Sequence, residues 1–236
     1  MLDRVYEAYQ QQGRFVADVS HELRTPLAVM QGNVDLLSRW GAEDAIIRQD
    51  SIRVLANQTA YMSALVENLL FLARSDNAKF ELNRTTFPVD ALFSELLEEQ
   101  SLIDPAHAYA KTLSPEDGVL TADRAMIGQM LRALLDNSVK YTPAGGTITL
   151  GFRKTPLAVE LFVRDTGVGL EQSDCERVFQ RFYRVDAARA RATGGMGLGL
   201  SIVLAIAQSH GGSACAQSTP GKGTTITVTI PTDAKF

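Results

Sequence analysis

The sequence predicts two units of different class: an all-α helical hairpin, then an α+β sandwich built on a mixed sheet. Three observations predict this. Apolar residues recur at steps of three and four along two long N-terminal stretches, Phe15 to Leu37 and Leu55 to Leu72. The polar run Ser75-Asp-Asn-Ala-Lys79 then breaks the pattern. Beyond it, short alternating stretches mix with helical ones, without the regular β–α alternation of a doubly wound sheet. The predicted units are residues 1–76 and 77–236.

Composition narrows the function. Of 236 residues, 45% are apolar, enough for packed cores, and the net charge is −4 with no basic block. Nucleic acid is therefore not the expected partner. The two cysteines, Cys175 and Cys215, have neither disulfide-framework nor metal spacing and read as plain small residues in a reducing compartment. No run approaches the ~18 apolar residues of a membrane span, and no signal peptide opens the chain. The chain as given is expected to be soluble.

In the first helix, Phe15, Val19, Leu23, Leu27, Met30, Val34 and Leu37 form one stripe. His21 lies roughly 200° around from Val19 and Leu23, so it points to solvent or to a visiting partner. Thr25, one turn on, shares its face, and Glu22 is its neighbour. Pro26 removes the helical partner of the Glu22 carbonyl, and a bend is expected there. The opening Leu2 to Arg14 has no cap, like a helix cut from something longer upstream. Gly41 interrupts, and Asp44 is placed to cap a second helix running to about Arg74, with a near-heptad seam of Leu55, Met62, Leu65, Leu69 and Leu72. A hairpin alone cannot cover two apolar stripes, so pairing with a second copy into a four-helix bundle is expected.

In the second unit a short helix is predicted after Pro88, a strand over 118–121, and a helix capped by Asp123 that buries Ile127, Met130, Leu131, Leu134, Leu135 and Val139. Strands follow at 147–152 and 159–163, an apolar helix at 197–209, and a closing hairpin of 213–217 and 224–230 around Pro220-Gly-Lys-Gly223.

Four constellations in this unit carry chemistry. Asn137 and Lys140 share a helix face, an amide oxygen suited to Mg²⁺ beside a cation suited to phosphate; a polar helix end is the bland alternative. Arg164-Asp-Thr-Gly-Val-Gly-Leu170 ends a strand with a carboxylate able to accept from an exocyclic amine, while Gly167 and Gly169 admit a ligand to the backbone; a plain turn has the same pattern. In Glu176-Arg-Val-Phe-Gln-Arg-Phe-Tyr-Arg-Val-Asp186, Phe179 and Phe182 are as easily core anchors, and Arg184 is the candidate phosphate contact. The following Ala187 to Thr193, with three arginines and no large apolar residue, has the composition of a mobile lid. Finally Gly195, Gly197, Leu198 and Gly199 open an apolar helix, where backbone N–H groups make an anion site. This last is neither a dinucleotide fingerprint nor a P-loop, since no acidic ribose reader and no Gly-Lys-Ser/Thr follow.

His21-Glu-Leu-Arg-Thr-Pro-Leu27 resembles the phosphoacceptor box of HisKA-type sensor histidine kinases. Leu131 to Pro143 resembles their N box, Arg164 to Leu170 the G1 box, Glu176 to Asp186 the F box, Gly194 to Val203 the G2 box and Gly221-Lys-Gly-Thr-Thr225 the last glycine box, in the family's order. The resemblance implies a dimerisation and histidine phosphotransfer hairpin followed by a Bergerat-fold (GHKL-type) ATP-binding domain. It implies that Asn137 ligates Mg²⁺, Lys140 and Arg184 contact phosphate, Tyr141 lines the nucleotide, Asp165 reads the adenine amine and Thr224 bridges to the base. It further implies a homodimer that phosphorylates His21 from ATP, with Glu22 as base, and passes the phosphoryl group to an aspartate of a response regulator receiver domain. Glu22 and Thr25 would position water for the reverse, phosphatase reaction. One departure is Ala133, where the family often has a second Asn and related hydrolytic ATPases have a glutamate. It speaks against hydrolysis as the main reaction. A degenerate ATP-binding module and a hydrolytic GHKL-type ATPase are the alternatives. Family members usually carry a membrane-spanning sensor upstream, so the expectation is the cytoplasmic core of a membrane-anchored bacterial sensor kinase, meeting the membrane only through a missing upstream segment.

Overall fold

The computed structural model describes residues 2–40, 43–76, 81–113, 118–185 and 195–232. The chain forms two compact units, Met1–Phe71 and Leu72–Phe236.

The first unit is the expected hairpin. Helix α1 spans Leu2–Trp40 and α2 spans Ala45–Asp76. Asp44 caps α2, its Oδ1 accepting from the amides of Ile46 at 2.8 Å and Ile47 at 3.1 Å. Gly41, the expected interruption, lies outside the described residues. Helix α1 continues through Pro26, whose ring is buried in the hairpin. On α2, Leu65 and Leu72 are fully buried. The α1 stripe is narrower than the sequence spacing predicts. Phe15, Val19, Leu23, Met30 and Leu37 are half-buried, whereas Leu27 and Val34 stay 45% and 50% exposed. Two helices contact along one seam, so a stripe wider than that seam leaves one edge in water. The exposed edge is the part a second copy would cover in a bundle.

In the second unit, β1 (Arg84–Pro88) pairs antiparallel with β3 (Val119–Asp123) as a two-stranded sheet. The main sheet has five strands in the order β2-β4-β5-β7-β6, formed by β2 (Ala108–Leu113), β4 (Thr147–Lys154), β5 (Ala158–Asp165), β6 (Ser213–Thr219) and β7 (Gly223–Pro231). Only β2 and β4 run parallel; the other pairs are antiparallel, so the sheet is mixed as expected. Helices α3 (Val89–Ile103), α4 (Arg124–Tyr141) and α5 (Gly199–Ser209) pack on it. The core between them is Ile127, Met130, Leu131, Leu134 and Leu135 of α4, Ile202, Val203 and Ile206 of α5, and Ile148, Leu150, Phe152, Leu161, Val163 and Val228 of the sheet. Truncating one of these to alanine costs about 2–5 kcal/mol.

Strands β1 and β2 have no counterpart in the sequence reading. In β2 only Tyr109 and Leu113 are half-buried, and the position between them on that side is an exposed lysine, Lys111, which forms an ion pair with Asp90 and a 2.9 Å bond to Ser94 on α3, so the strand shows no apolar alternation. In β1 only Phe87 is buried.

Two histidines tie helix ends to their neighbours. Asp123 caps α4, accepting from Ala125 and Met126 at 3.1 Å, and its own amide donates to Nε2 of His210 at 3.2 Å. His210 is fully buried and donates from Nδ1 to the Ile206 carbonyl at 2.8 Å. His107 instead faces two acceptors, Asp104 through Nδ1 at 2.5 Å and the Thr142 carbonyl through Nε2 at 2.9 Å, at the C-terminal end of α4.

Candidate functional site

The phosphoacceptor candidates lie on one stretch of α1. His21 and Thr25 are exposed and share a face, as the helical spacing predicts. Glu22 is half-buried, because its position falls between Val19, Leu23 and Pro26 on the side turned to α2. There its Oε2 accepts a 2.9 Å hydrogen bond from the phenol of Tyr61 on α2. Sequence reasoning missed Tyr61, since nothing in the spacing of either helix reports which residues meet across the hairpin.

The nucleotide candidates surround the ends of β5, α4 and α5. Asp165 closes β5 with 8% of its surface exposed. Its Oδ1 accepts from the amides of Gly167 at 2.9 Å and Thr224 at 3.1 Å, and the Ser138 hydroxyl of α4 stands 3.5 Å from Oδ2. Burial pushes this carboxyl above the usual carboxylate range, against the opposing pull of those three donors. Ser138 was not singled out from sequence; its place next to Asn137 puts it on the sheet-facing side of α4, where it is buried.

The glycines are steric requirements of this corner. A Cβ on Gly167 would lie 2.4 Å from the Tyr141 carbonyl, which the Val168 amide also uses at 3.0 Å. One on Gly169 would lie 2.2 Å from the Thr219 carbonyl. Thr224 contributes its amide to Asp165, while its hydroxyl pairs with Ser218 at 2.9 Å.

Asn137, Lys140 and Tyr141 lie on one face of α4; Asn137 is half-buried, and Lys140 and Tyr141 are exposed. Asn137 stands against the first residue of α5: a Cβ on Gly199 would sit 3.6 Å from its Nδ2. The preceding Leu198 is buried and gives the helix no side-chain cap, so the first-turn amides of α5 are left for another acceptor. Gly197 adopts φ +70 and backs onto Phe182, and Gly195 borders open space. Arg184 is half-buried at the edge of the described residues. The expected lid, Ala187 to Thr193, lies outside them.

These residues fit a bound nucleoside triphosphate. A buried, elevated carboxylate suits an amine donor, an uncapped helix start suits phosphate, and Asn137 lies beside that start. Among the described residues no group of three or more His, Cys, Asp or Glu could hold a metal. An amide oxygen such as that of Asn137, with phosphate and water oxygens, is ligand chemistry that suits Mg²⁺.

Comparison with known proteins matches each of the two units to a family. Residues 11–78 match the model of the His Kinase A (phospho-acceptor) domain. Residues 122–234 match the model of the histidine kinase-, DNA gyrase B- and HSP90-like ATPases. The sensor histidine kinase WalK of Bacillus subtilis is 37% identical over 225 residues, 94% of this chain and 37% of its own length. ArlS of Staphylococcus epidermidis, a signal transduction histidine-protein kinase, is 32% identical over 231 residues, 98% of this chain and 51% of its own. Among solved structures, the Acinetobacter baumannii histidine kinase AdeS is similar with a TM-score of 0.73 and 26% identity, over 90% of this chain and 98% of that one. Full-length ShkA, solved in complex with AMPPNP, is similar with a TM-score of 0.69 and 27% identity, over 92% of this chain and 45% of that one. ThkA, solved in complex with the response regulator protein TrrA, shares the fold with a TM-score of 0.75 at 23% identity, over 97% of this chain and 64% of that one.

A phosphoacceptor hairpin joined to a GHKL-type ATPase unit defines a protein-histidine kinase core. The chain belongs to the HisKA-type sensor histidine kinase family, whose members are ATP-dependent protein-histidine kinases. It spans about half or less of the length of the curated relatives named here. No described helix is long and apolar enough to cross a membrane.

Proposed function

We propose that this chain phosphorylates His21 from ATP and passes the phosphoryl group to an aspartate of a response regulator. The observation that carries the proposal is the exposure of His21 next to a part-buried carboxylate, in a chain whose other unit buries Asp165 on the amides of Gly167 and Thr224. One nitrogen of neutral His21 attacks the γ-phosphorus. The bond from that phosphorus to the bridging oxygen breaks, and ADP leaves with the electron pair. The proton on the other nitrogen goes to Glu22.

Asp165 accepts from the adenine amine, and Thr224 and Tyr141 line the base. The first turn of α5, Lys140 and Arg184 offset phosphate charge. Asn137 is the one protein ligand proposed for Mg²⁺, which when bound neutralises charge between the phosphates. Ala133 is half-buried and has no proton acceptor, so this position cannot activate water, and transfer to protein is favoured over hydrolysis.

A response regulator partner is supported by family membership and by the complex formed by ThkA, which shares the fold. Homodimerisation is supported by the exposed Leu27 and Val34 edge of α1. We assign Glu22 and Thr25 to a phosphatase reaction toward that regulator, and place the chain as the cytoplasmic part of a membrane-anchored sensor.

Incubation with γ-labelled ATP and Mg²⁺ tests the central step. Acid-labile label on the protein is expected. Label released as phosphate would favour a hydrolytic ATPase, and neither outcome a degenerate binding module.

A further inference from the structure

Asp174, Arg177 and Tyr183 form a cluster that the reaction described above does not use. The Tyr183 phenol donates to Oδ1 of Asp174 at 2.7 Å. The Arg177 guanidinium lies 4.5 Å from the centre of the Tyr183 ring and 3.9 Å from the same Oδ1. Asp174 is buried on a short turn, Gln172–Asp174, and Tyr183 is half-buried. The bond to Asp174 holds the Tyr183 phenol above its ordinary pKa.

Tyr183 follows Phe182, which among the described residues is the only non-glycine with a left-handed φ, at +60. Such a φ persists only where the surroundings impose it. On one side the Phe182 amide donates to the Gly197 carbonyl at 2.9 Å, and a Cβ on Gly197 would lie 2.9 Å from the Phe182 backbone. On the other side stands the Tyr183 ring, fixed on Asp174. Gly197 comes two residues before Gly199, where α5 begins without a side-chain cap.

We propose that Tyr183, through its bond to Asp174, is a positioning residue for the triphosphate: it holds the Phe182 turn against Gly197 and so fixes the backbone that leads into the first turn of α5. In this role neither side chain contacts the nucleotide. The effect falls on phosphate binding at the α5 amides rather than on base recognition at Asp165. This rests on the reading of the α5 start as the phosphate site.

The test measures the affinity of the whole chain for AMPPNP–Mg²⁺ by isothermal titration, and for adenosine by competition against it. Tyr183→Phe and Asp174→Ala each remove the bond. Each is expected to weaken AMPPNP–Mg²⁺ binding about tenfold, while adenosine stays within about twofold of wild type. Combined, they are expected to lose no more than either alone, because both remove one contact. Asp174→Asn keeps an oxygen to accept from the phenol and is expected to retain affinity within about threefold of wild type. Wild-type affinity for AMPPNP–Mg²⁺ in either Tyr183→Phe or Asp174→Ala overturns the proposal. So does an equal loss for adenosine, or losses that multiply in the double variant. A wild-type chain that binds AMPPNP–Mg²⁺ no tighter than adenosine would instead overturn the phosphate site itself, a separate failure seen without any variant.

Discussion

Phe182 and Gly197 hold each other in the left-handed region. Phe182 has φ +60 and Gly197 φ +70, and the Phe182 amide donates to the Gly197 carbonyl at 2.9 Å. A bulky residue pays a conformational penalty for such a φ, which persists only where the surroundings impose it. Here they are the two ends of the 182–197 segment, brought together immediately before the first turn of α5.

Gly197→Ala is therefore expected to damage the phosphate corner twice. Alanine at φ +70 costs about 1 kcal/mol, and its Cβ would lie 2.9 Å from the Phe182 backbone. Isothermal titration with a non-hydrolysable ATP analogue should show affinity reduced by about tenfold or more. Gly195→Ala, which meets open space, is expected to bind within about twofold of wild type. Equal behaviour of the two would refute the steric account.

His21→Ala should abolish autophosphorylation and leave nucleotide affinity nearly unchanged, since His21 and Asp165 belong to different units. Label incorporation measured beside nucleotide binding checks this. Residual acid-labile label in the variant would show that another residue is the acceptor.

In the proposed reaction Asp165 serves base recognition and Asn137 metal binding, and variants of the two are expected to separate these roles. Asp165→Asn keeps an oxygen for the Gly167 and Thr224 amides but turns the acceptor facing an amine into a donor. Discrimination between ATP and GTP should fall. The nucleotide-free protein should melt no lower at neutral pH, because a buried carboxylate with an elevated pKa loses stability on ionising. Asn137→Ala should retain base discrimination and regain part of its activity as Mg²⁺ is raised.

The two structural histidines should respond to pH with opposite sign. His107 faces two acceptors. Burial alone would lower its pKa, but the Asp104 carboxylate and the Thr142 carbonyl outweigh that and raise it. Its contribution is fully present below 6.5, the ordinary value, and fades as pH rises through the higher folded value. His210 accepts from one amide and donates to one carbonyl, as only the neutral ring can, and burial lowers its pKa. Stability should thus fall as pH drops below 6.5, where the unfolded chain takes up a proton that the folded ring refuses. Urea melts across pH 5–8 check this. The difference between wild type and His107→Gln should shrink as pH rises, whereas His210→Gln should flatten the acid side whatever its absolute stability.

Thr25→Ala is expected to keep autophosphorylation and lose phosphatase activity toward a phosphorylated regulator. Thr25 shares the exposed face of His21 one turn along α1, and its hydroxyl can orient water but is not needed to attack ATP. Alanine does not weaken a helix by propensity. Decay of regulator phosphate with ADP present is the measurement; equal decay with wild type and variant would remove Thr25 from the mechanism.

Whereas the site candidates Asn137, Asp165 and Gly199 are singled out by the family resemblance of the boxes that hold them, periodicity and capping alone determine the hairpin, the three helices of the second unit and its closing β-hairpin. These are local properties: a 3.6-residue repeat, a capping side chain such as Asp44 or Asp123, a glycine where backbone must pass backbone. Strand β2 escaped because an exposed lysine, Lys111, paired with Asp90 from another element, separates its two half-buried residues, and β1 because it buries one side chain. Only the tertiary structure decided that Glu22 meets Tyr61, that Ser138 meets Asp165, that the Phe182 amide meets the Gly197 carbonyl, and that of two histidines one is built for charge and the other for neutrality. Each of these depends on which groups face one another across elements, and no repeat along one chain encodes the register of its contact with another.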